Sequence, residues 1–370
     1  MLDLPHTDDY LAWARGVQDM IDAHPDLDNL FSSASAMPRD LLLADLEAMT
    51  PHDWLAPVSP WGHHAVAERI AAWCGVPSEW VLVTSGASNG LVVVARALVE
   101  PGDRVVVEAP AYQPFLRVLE DRGAQLVRVP RRAADDFALD LAALNAALKG
   151  GARLILLSNL HNPSAASLSN DDLAAVLALA ERTGALVVID EVYQHFVACA
   201  SAAGQADHAI AISSLSKAYG MGGLRCGWII AAPPIIERLR PAHTLYENTT
   251  SAAAQTIAAR VWSHIGDYRT LAVERAAANR ALVHAFAASL LADGLIEGDV
   301  PAQGCVYFPR LAGIHDTDAF SRRTLRDQQV VVVPGEFFEM PGHIRIGYGG
   351  DSAWLAAGLE RLAAAIRAGW

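Results

Sequence analysis

"SSLSKAYGMGGLRCGW", residues 213–228, contains one of only two lysines in a chain of 370 residues. The basic residues number 28, so the remaining 26 are arginine. A solvated surface charge can be arginine. An amine that must lose its proton and attack a carbonyl cannot, because guanidinium stays protonated at any working pH. A GC-rich genome accounts for the scarcity of lysine but not for the place where Lys217 stands. It follows the apolar run "HAIAIS", and Gly220, Gly222 and Gly223 after it allow a backbone to approach a ligand closely.

Working outward, short β-branched runs alternate with helical patterns from about residue 64 to 232. "WVLVTSG" (80–86) leads into the helical "ASNGLVVVARALV". "DRVVVEAPAY" (103–112), "QLVRVPR" (125–131), "RLILLSNLHNP" (153–163), "ALVVIDEVY" (185–193), "HAIAISSLSK" (208–217) and "CGWIIAAP" (226–233) are further strand candidates. Amphipathic stretches lie between several of them, such as "NDDLAAVLALAERTG" (170–184), with Asn170 as N-cap and Gly184 as stop. Continuous apolar strands alternating with helices predict an α/β fold with a mostly parallel sheet covered on both faces. Ligands of such sheets bind at the carboxyl ends of the strands. After about residue 234 the pattern changes. A long helical region (251–294) precedes "GCVYFPRL", "QVVVVPG", "HIRIGYG" and a terminal helix, "SAWLAAGLERLAAAIRAG". The expected organisation is a large domain over 41–245, a connecting helix and smaller α+β domain over 246–370, and an N-terminal segment, 1–40, joining the smaller unit.

The chemistry-bearing residues cluster where strands end. Ser214, Ser216 and Arg225 flank Lys217 and can hold a phosphate by hydroxyl donation and a forked guanidinium contact. A lysine amine beside such a seat suits a Schiff-base cofactor that carries a phosphate. The positive charge of Arg225 is also expected to lower the lysine pKa. Asp190 ends an apolar strand, so its ionised form needs a partner, and a protonated pyridine nitrogen is a suitable one. Tyr193 can donate to a phenolic oxygen. Asp190 with Glu191 also suggests a metal pair, but adjacent strand residues point to opposite faces. Asn162 stands before a proline in "SNLHNPSAA"; such a turn is also common without function. "TSGAS" (84–88) opens a helix whose free N–H groups make a phosphate seat from Gly86, Ala87 and Ser88, or an ordinary strand–helix turn. Tyr112, on a proline-flanked loop, offers a ring for stacking or a seal for the core. Arg345, in the late strand "HIRIGYG", can clamp a carboxylate or lie on an edge. "GMGGLRCG" fails as a dinucleotide fingerprint, since its last glycine would fall on Arg225 and it comes late in the chain.

In this order and spacing the motifs resemble the class I/II aminotransferases, fold-type I enzymes that use pyridoxal 5′-phosphate (PLP). The likeness runs from "SPWGHHAVAERIAAWCG" (59–75) to "HIRIGYG" and is most specific in "SSLSKAYGMGGLRCGW". It implies a seven-stranded, mostly parallel sheet in the large domain and a Lys217 Schiff base that moves an amino group between an L-amino acid and a 2-oxo acid. Asp190 would then bind the ring nitrogen, and Asn162 and Tyr193 the ring oxygen, with Tyr112 stacked on the ring. Gly86, Ala87, Ser88, Ser214 and Arg225 would hold the phosphate, and Arg345 the substrate carboxylate. The resemblance also implies a homodimer. Two departures stand out: the family's Asn-Pro-Thr-Gly turn reads "NPSA" here, with Ala165 for glycine, and the partner-subunit tyrosine near the phosphate has no match, Trp61 being the nearest aromatic. "PAQGCVYFPRL", "VVVVPGEFF" and "LHNPSA" further resemble capreomycidine-synthase-like members, which use PLP for elimination and cyclisation.

Composition agrees with this reading. Hydrophobic residues make up 52% and charged residues 19%, which argues against disorder. A net charge of −13 argues against nucleic acid as partner. No apolar run reaches membrane length, and the N-terminus lacks a signal-peptide pattern. The four cysteines (Cys74, Cys199, Cys226, Cys305) form no CxxC pair and read as reduced thiols of a cytoplasmic protein with no metal site.

Overall fold

The computed structural model describes residues 2–54, 58–59, 62–197, 200–247 and 250–369. Trp61 and Cys199 lie outside the described residues.

Seven apolar segments form one sheet. In spatial order they are Val81–Thr84, Gly227–Ala231, Ala209–Ser214, Leu186–Asp190, Leu154–Ser158, Arg104–Ala109 and Gln125–Pro130. All pairings are parallel except the two made by Gly227–Ala231, which runs against both neighbours. Alternate residues of one strand feed opposite cores. Val105, Val107, Leu154 and Leu156 pack on one side, and Val106, Ile155, Leu157 and Val187 on the other. Period-two burial on both faces is what a sheet between two helical layers requires.

Local chemistry sets the helix ends. The helix Asn170–Thr183 is capped by Ser169 rather than Asn170, which corrects the expected start. Ser169 Oγ accepts from the Asp172 N–H at 3.0 Å, and the Asp172 carboxylate accepts from Ser169 in return. Gly184 ends the helix at φ +73° as expected. The helical region expected over 251–294 is two helices, Ala252–Ser263 and Ile265–Ala292, broken at His264, whose φ of −126° leaves the helical range.

Beyond the sheet, Val306–Tyr307 and Val333–Pro334 pair antiparallel with Ile344–Gly347, which lies between them. Arg345 is therefore on a central strand, not an edge. Near the N-terminus the helix Tyr10–Ala23 precedes Asp28–Asn29, which pairs parallel with Val330–Val331. The chain then threads Ser32–Ala36 between two glycine-bearing segments. A Cβ on Gly347 would lie 1.9 Å from Ser32 O, and one on Gly220 would lie 2.4 Å from Ser35 O. Only glycine permits backbones this close.

Candidate active site

The carboxyl ends of the strands gather the residues picked out from the sequence. Asp190 closes Leu186–Asp190, Asn162 follows Leu154–Ser158, and Tyr112 caps the helix Gln113–Asp121 after Arg104–Ala109. Lys217 lies three residues past Ala209–Ser214. Val81–Thr84 leads through Gly86, at φ +98°, into Ala87–Leu98, and Arg225 lies two positions before the antiparallel strand.

The Lys217 side chain is half-buried, but its amine lies deep, where Nζ donates to Ser33 Oγ at 3.1 Å. Burial, then the Arg345 guanidinium, lowers its pKa to about 8. The expected cause, Arg225, is replaced by these two. Arg225 is exposed, and its Nη2 donates to Ser85 O at 2.7 Å. Asp190 is buried, and desolvation raises its pKa to about 7, with Glu108 adding to the rise while Lys217 and the Val192 N–H oppose it. Its Oδ1 accepts from Val192 N at 3.1 Å, and among the described residues it forms no ion pair. Glu191 faces away and accepts from the Ala202 N–H at 2.7 Å. No His/Cys/Asp/Glu cluster fit for a metal occurs among the described residues.

Arg345, 1% exposed, converges with residues from three other parts of the chain. Nη1 donates to Asn162 Oδ1 at 3.1 Å, and Nη2 donates to Tyr10 Oη at 3.1 Å and to Phe31 O at 3.0 Å. Its guanidinium carbon lies 5.3 Å from the Phe338 ring centroid. Tyr112 meets Tyr10 edge-on, with centroids 5.2 Å apart. Burial pushes the Tyr112 and Tyr193 hydroxyls well above the usual phenol range, so both stay protonated. In the Asn-Pro turn Ala165, standing where glycine was expected, takes φ +60°, a conformation costing about 1 kcal/mol for a residue with a Cβ. His161 steadies it through Ser164 Oγ at 2.6 Å and Pro110 O at 2.9 Å.

Three observations test the fit to PLP. A buried carboxyl without a cation of its own suits a pyridinium N–H. The buried Tyr193 hydroxyl has no well-formed hydrogen bond, Ser33 being the polar group that bears on it. Gly86 and Arg225 make a cradle that a side chain would fill, since a Cβ on Gly86 would lie 2.7 Å from Arg225 Nη2. The residues fit the group. Of the remaining candidates, Ala87 opens the helix, Ser88 is exposed on its first turn, and Ser214 Oγ is buried and accepts from Ser216 N at 3.3 Å.

Sequence reading missed Tyr10, Phe31 and Ser33, which lie in an N-terminal stretch without a motif. It also missed the buried Glu108–Arg131 pair at 2.8 Å. Glu108 accepts from Ser158 N at 2.7 Å and from Ser158 Oγ, whose oxygen accepts from Asn162 N at 3.2 Å, so the pair props the Asn162 turn. A lone glutamate in "VVVEAP" was the available signal.

A buried amine, a buried carboxyl and the Gly86–Arg225 cradle at the carboxyl edge of a mostly parallel sheet suit a PLP enzyme of fold type I. The chain belongs to the family described as aminotransferase class I and II, whose profile matches residues 28–362. Capreomycidine synthase of Streptomyces vinaceus is 31% identical over 80% of this chain and 76% of its own length. Histidinol-phosphate aminotransferase of Pectobacterium atrosepticum is 36% identical over 54% of this chain, a match spanning 56% of that enzyme. In fold, the chain is similar to a PLP-dependent aminotransferase from Streptococcus suis (TM-score 0.87, 24% identity, 99% of both chains). It is equally similar to the PLP-dependent cyclase OrfR (TM-score 0.86, 24% identity, 98% of both chains). No helix among the described residues is long and apolar enough to cross a membrane.

Proposed function

We propose that the protein is an aminotransferase acting on an L-amino acid and a 2-oxo acid, with Lys217, Asp190 and Tyr193 as its catalytic residues. The observation that carries this reading is the single buried neighbourhood shared by the Lys217 amine, the Asp190 carboxyl and the forked Arg345 guanidinium. PLP, when bound, supplies an electron sink that acidifies the α-C–H bond of an amino acid. Lys217, lowered to about 8, presents a far larger free-amine fraction near neutral pH than an ordinary lysine and moves a proton at Nζ. Asp190 provides the carboxylate that keeps a ring nitrogen protonated. Asn162 and Tyr193 offer donors to a ring oxygen, and Tyr112 bounds the ring face. Gly86, Ala87, Ser88, Ser214 and Arg225 seat the phosphate. Arg345, its guanidinium held by Asn162, Tyr10 and Phe31, receives the substrate carboxylate. A two-fold dimer belongs to the same reading, supported by the exposed Trp54, Leu245 and Tyr246.

A second reading, elimination or cyclisation of a modified amino acid, is favoured by the similarity to capreomycidine synthase and the OrfR cyclase. One experiment separates them. The PLP-loaded protein is incubated with a panel of amino acids and no oxo acid, and absorbance and product masses are followed. Lasting conversion to the pyridoxamine form supports transamination. Product release without that conversion overturns it in favour of the lyase chemistry.

A further inference from the structure

We propose that Ser33 is a positioning residue for the reaction, its hydroxyl accepting a hydrogen bond from the Lys217 amine and fixing where that amine stands each time it takes up or returns a proton. This rests on the reading of Lys217 as the reactive amine. The contact is 3.1 Å, and Ser33 is only 4% exposed.

The segment that carries Ser33 is locked from several sides. Ser35 N donates to Lys217 O at 2.8 Å, and Ala36 N donates to Gly349 O at 2.9 Å. Cys305 Sγ donates to the Ser33 carbonyl at 3.4 Å. Glycines at 220, 347 and 349 leave room for the backbone of 32–36 and nothing more. The hydroxyl therefore stands on a rigid support, as a group that must hold a reacting atom in place requires. The charged and titratable groups facing the amine are Arg345 from the central small-sheet strand, Asp190 from the end of its strand, and Cys305. The cation among them repels an ammonium, and burial disfavours it, whereas an acceptor oxygen favours it. When the neutral amine takes a proton it becomes an ammonium with three N–H bonds, one of which stays on Ser33 Oγ. When the proton leaves, the neutral amine keeps that same bond. The hydroxyl thus orients the base in both states and tempers the loss of basicity that burial imposes.

The presence of only two lysines makes the test clean. Cofactor-free, full-length wild type, Ser33→Ala and Ser33→Thr are acetylated with acetic anhydride across a pH series, and the Lys217 and Lys149 peptides are quantified by mass spectrometry. In Ser33→Ala the Lys217 midpoint is expected to fall by about one pH unit, because a hydrogen bond to a charged donor is stronger than one to a neutral donor. Lys149, exposed and remote, keeps its profile, and Ser33→Thr restores the wild-type midpoint. A Lys217 profile in Ser33→Ala that coincides with wild type overturns the proposal. So does one that merges with Lys149, which would mark a loosened site, or a threonine variant that behaves like alanine. Failure of the underlying reading shows elsewhere: PLP with borohydride would then leave the wild-type Lys217 peptide untagged.

Discussion

Asp190→Asn should stabilise the cofactor-free protein at neutral and higher pH while removing its chemistry. Burial raises the carboxyl from 3.8 to about 7, a displacement worth roughly 4 kcal/mol between the two protonation states. Because the folded value lies above the unfolded one, the associated stability is complete below about 3.8 and is lost as pH rises through about 7. Asparagine keeps an acceptor for the Val192 N–H and carries no charge to bury. The urea midpoints of wild type and variant should thus lie close together near pH 4 and separate by pH 8, the variant being more stable by about 4 kcal/mol at most. Lys217, lowered to about 8, is present in both proteins, so its own titration largely cancels in the difference between them. Its lowered value makes its own contribution return only as pH rises from about 8 toward 10.5. Saturating PLP should reverse the order, since a ring N–H provides the missing partner for aspartate but not for asparagine. Parallel stability curves for the two proteins from pH 4 to 8 would refute the claim that Asp190 is held ionised at a cost the cofactor offsets.

Three further outcomes follow from the same geometry. Lys217→Arg should lower turnover by several orders of magnitude with folding intact, whereas Lys149→Arg should leave it unchanged; equal turnover in both variants, in any productive amino-donor assay, would count against the buried amine. Arg345→Lys keeps the charge but forfeits the fork, and losing two charged hydrogen bonds of about 1.5 kcal/mol each predicts roughly a hundredfold drop in kcat/KM. That drop should appear mainly in KM, and an unchanged KM would remove Arg345 from carboxylate binding. Gly86→Ala places a methyl against Arg225 at a backbone angle alanine resists, so PLP titration should give about tenfold weaker binding. Unaltered affinity would mean that the cradle does not hold the phosphate.

Much of the site could be read from the chain because each residue follows a recognisable strand. Apolar, β-branched runs must lie in a covered sheet, and a polar residue at the end of such a run has nowhere to go but the carboxyl edge. Asp190, Asn162, Lys217 and Gly86 were legible for that reason. The start of the helix at Ser169 escaped because Ser169 and Asn170 are both good caps, and only the reciprocal bond with Asp172 decides between them. The cause of the lysine's low pKa also escaped: Arg225 is near in sequence, but the cation that bears on the amine is Arg345, 128 positions away, from 345 − 217.

What the amino-acid sequence determined alone was the alternation of strands and helices, the position of the Lys217 amine and the order of the polar residues around it, since these depend on local pattern and chain direction. What only the tertiary structure decided was which distant groups face one another. Ser33 reaches Lys217, Tyr10 and Phe31 reach Arg345, and Glu108 supports the Asn162 turn through contacts that span the chain. Such meetings depend on close packing of separate segments, and on glycines whose missing side chains let one backbone lie against another. No periodicity in the sequence records that fit.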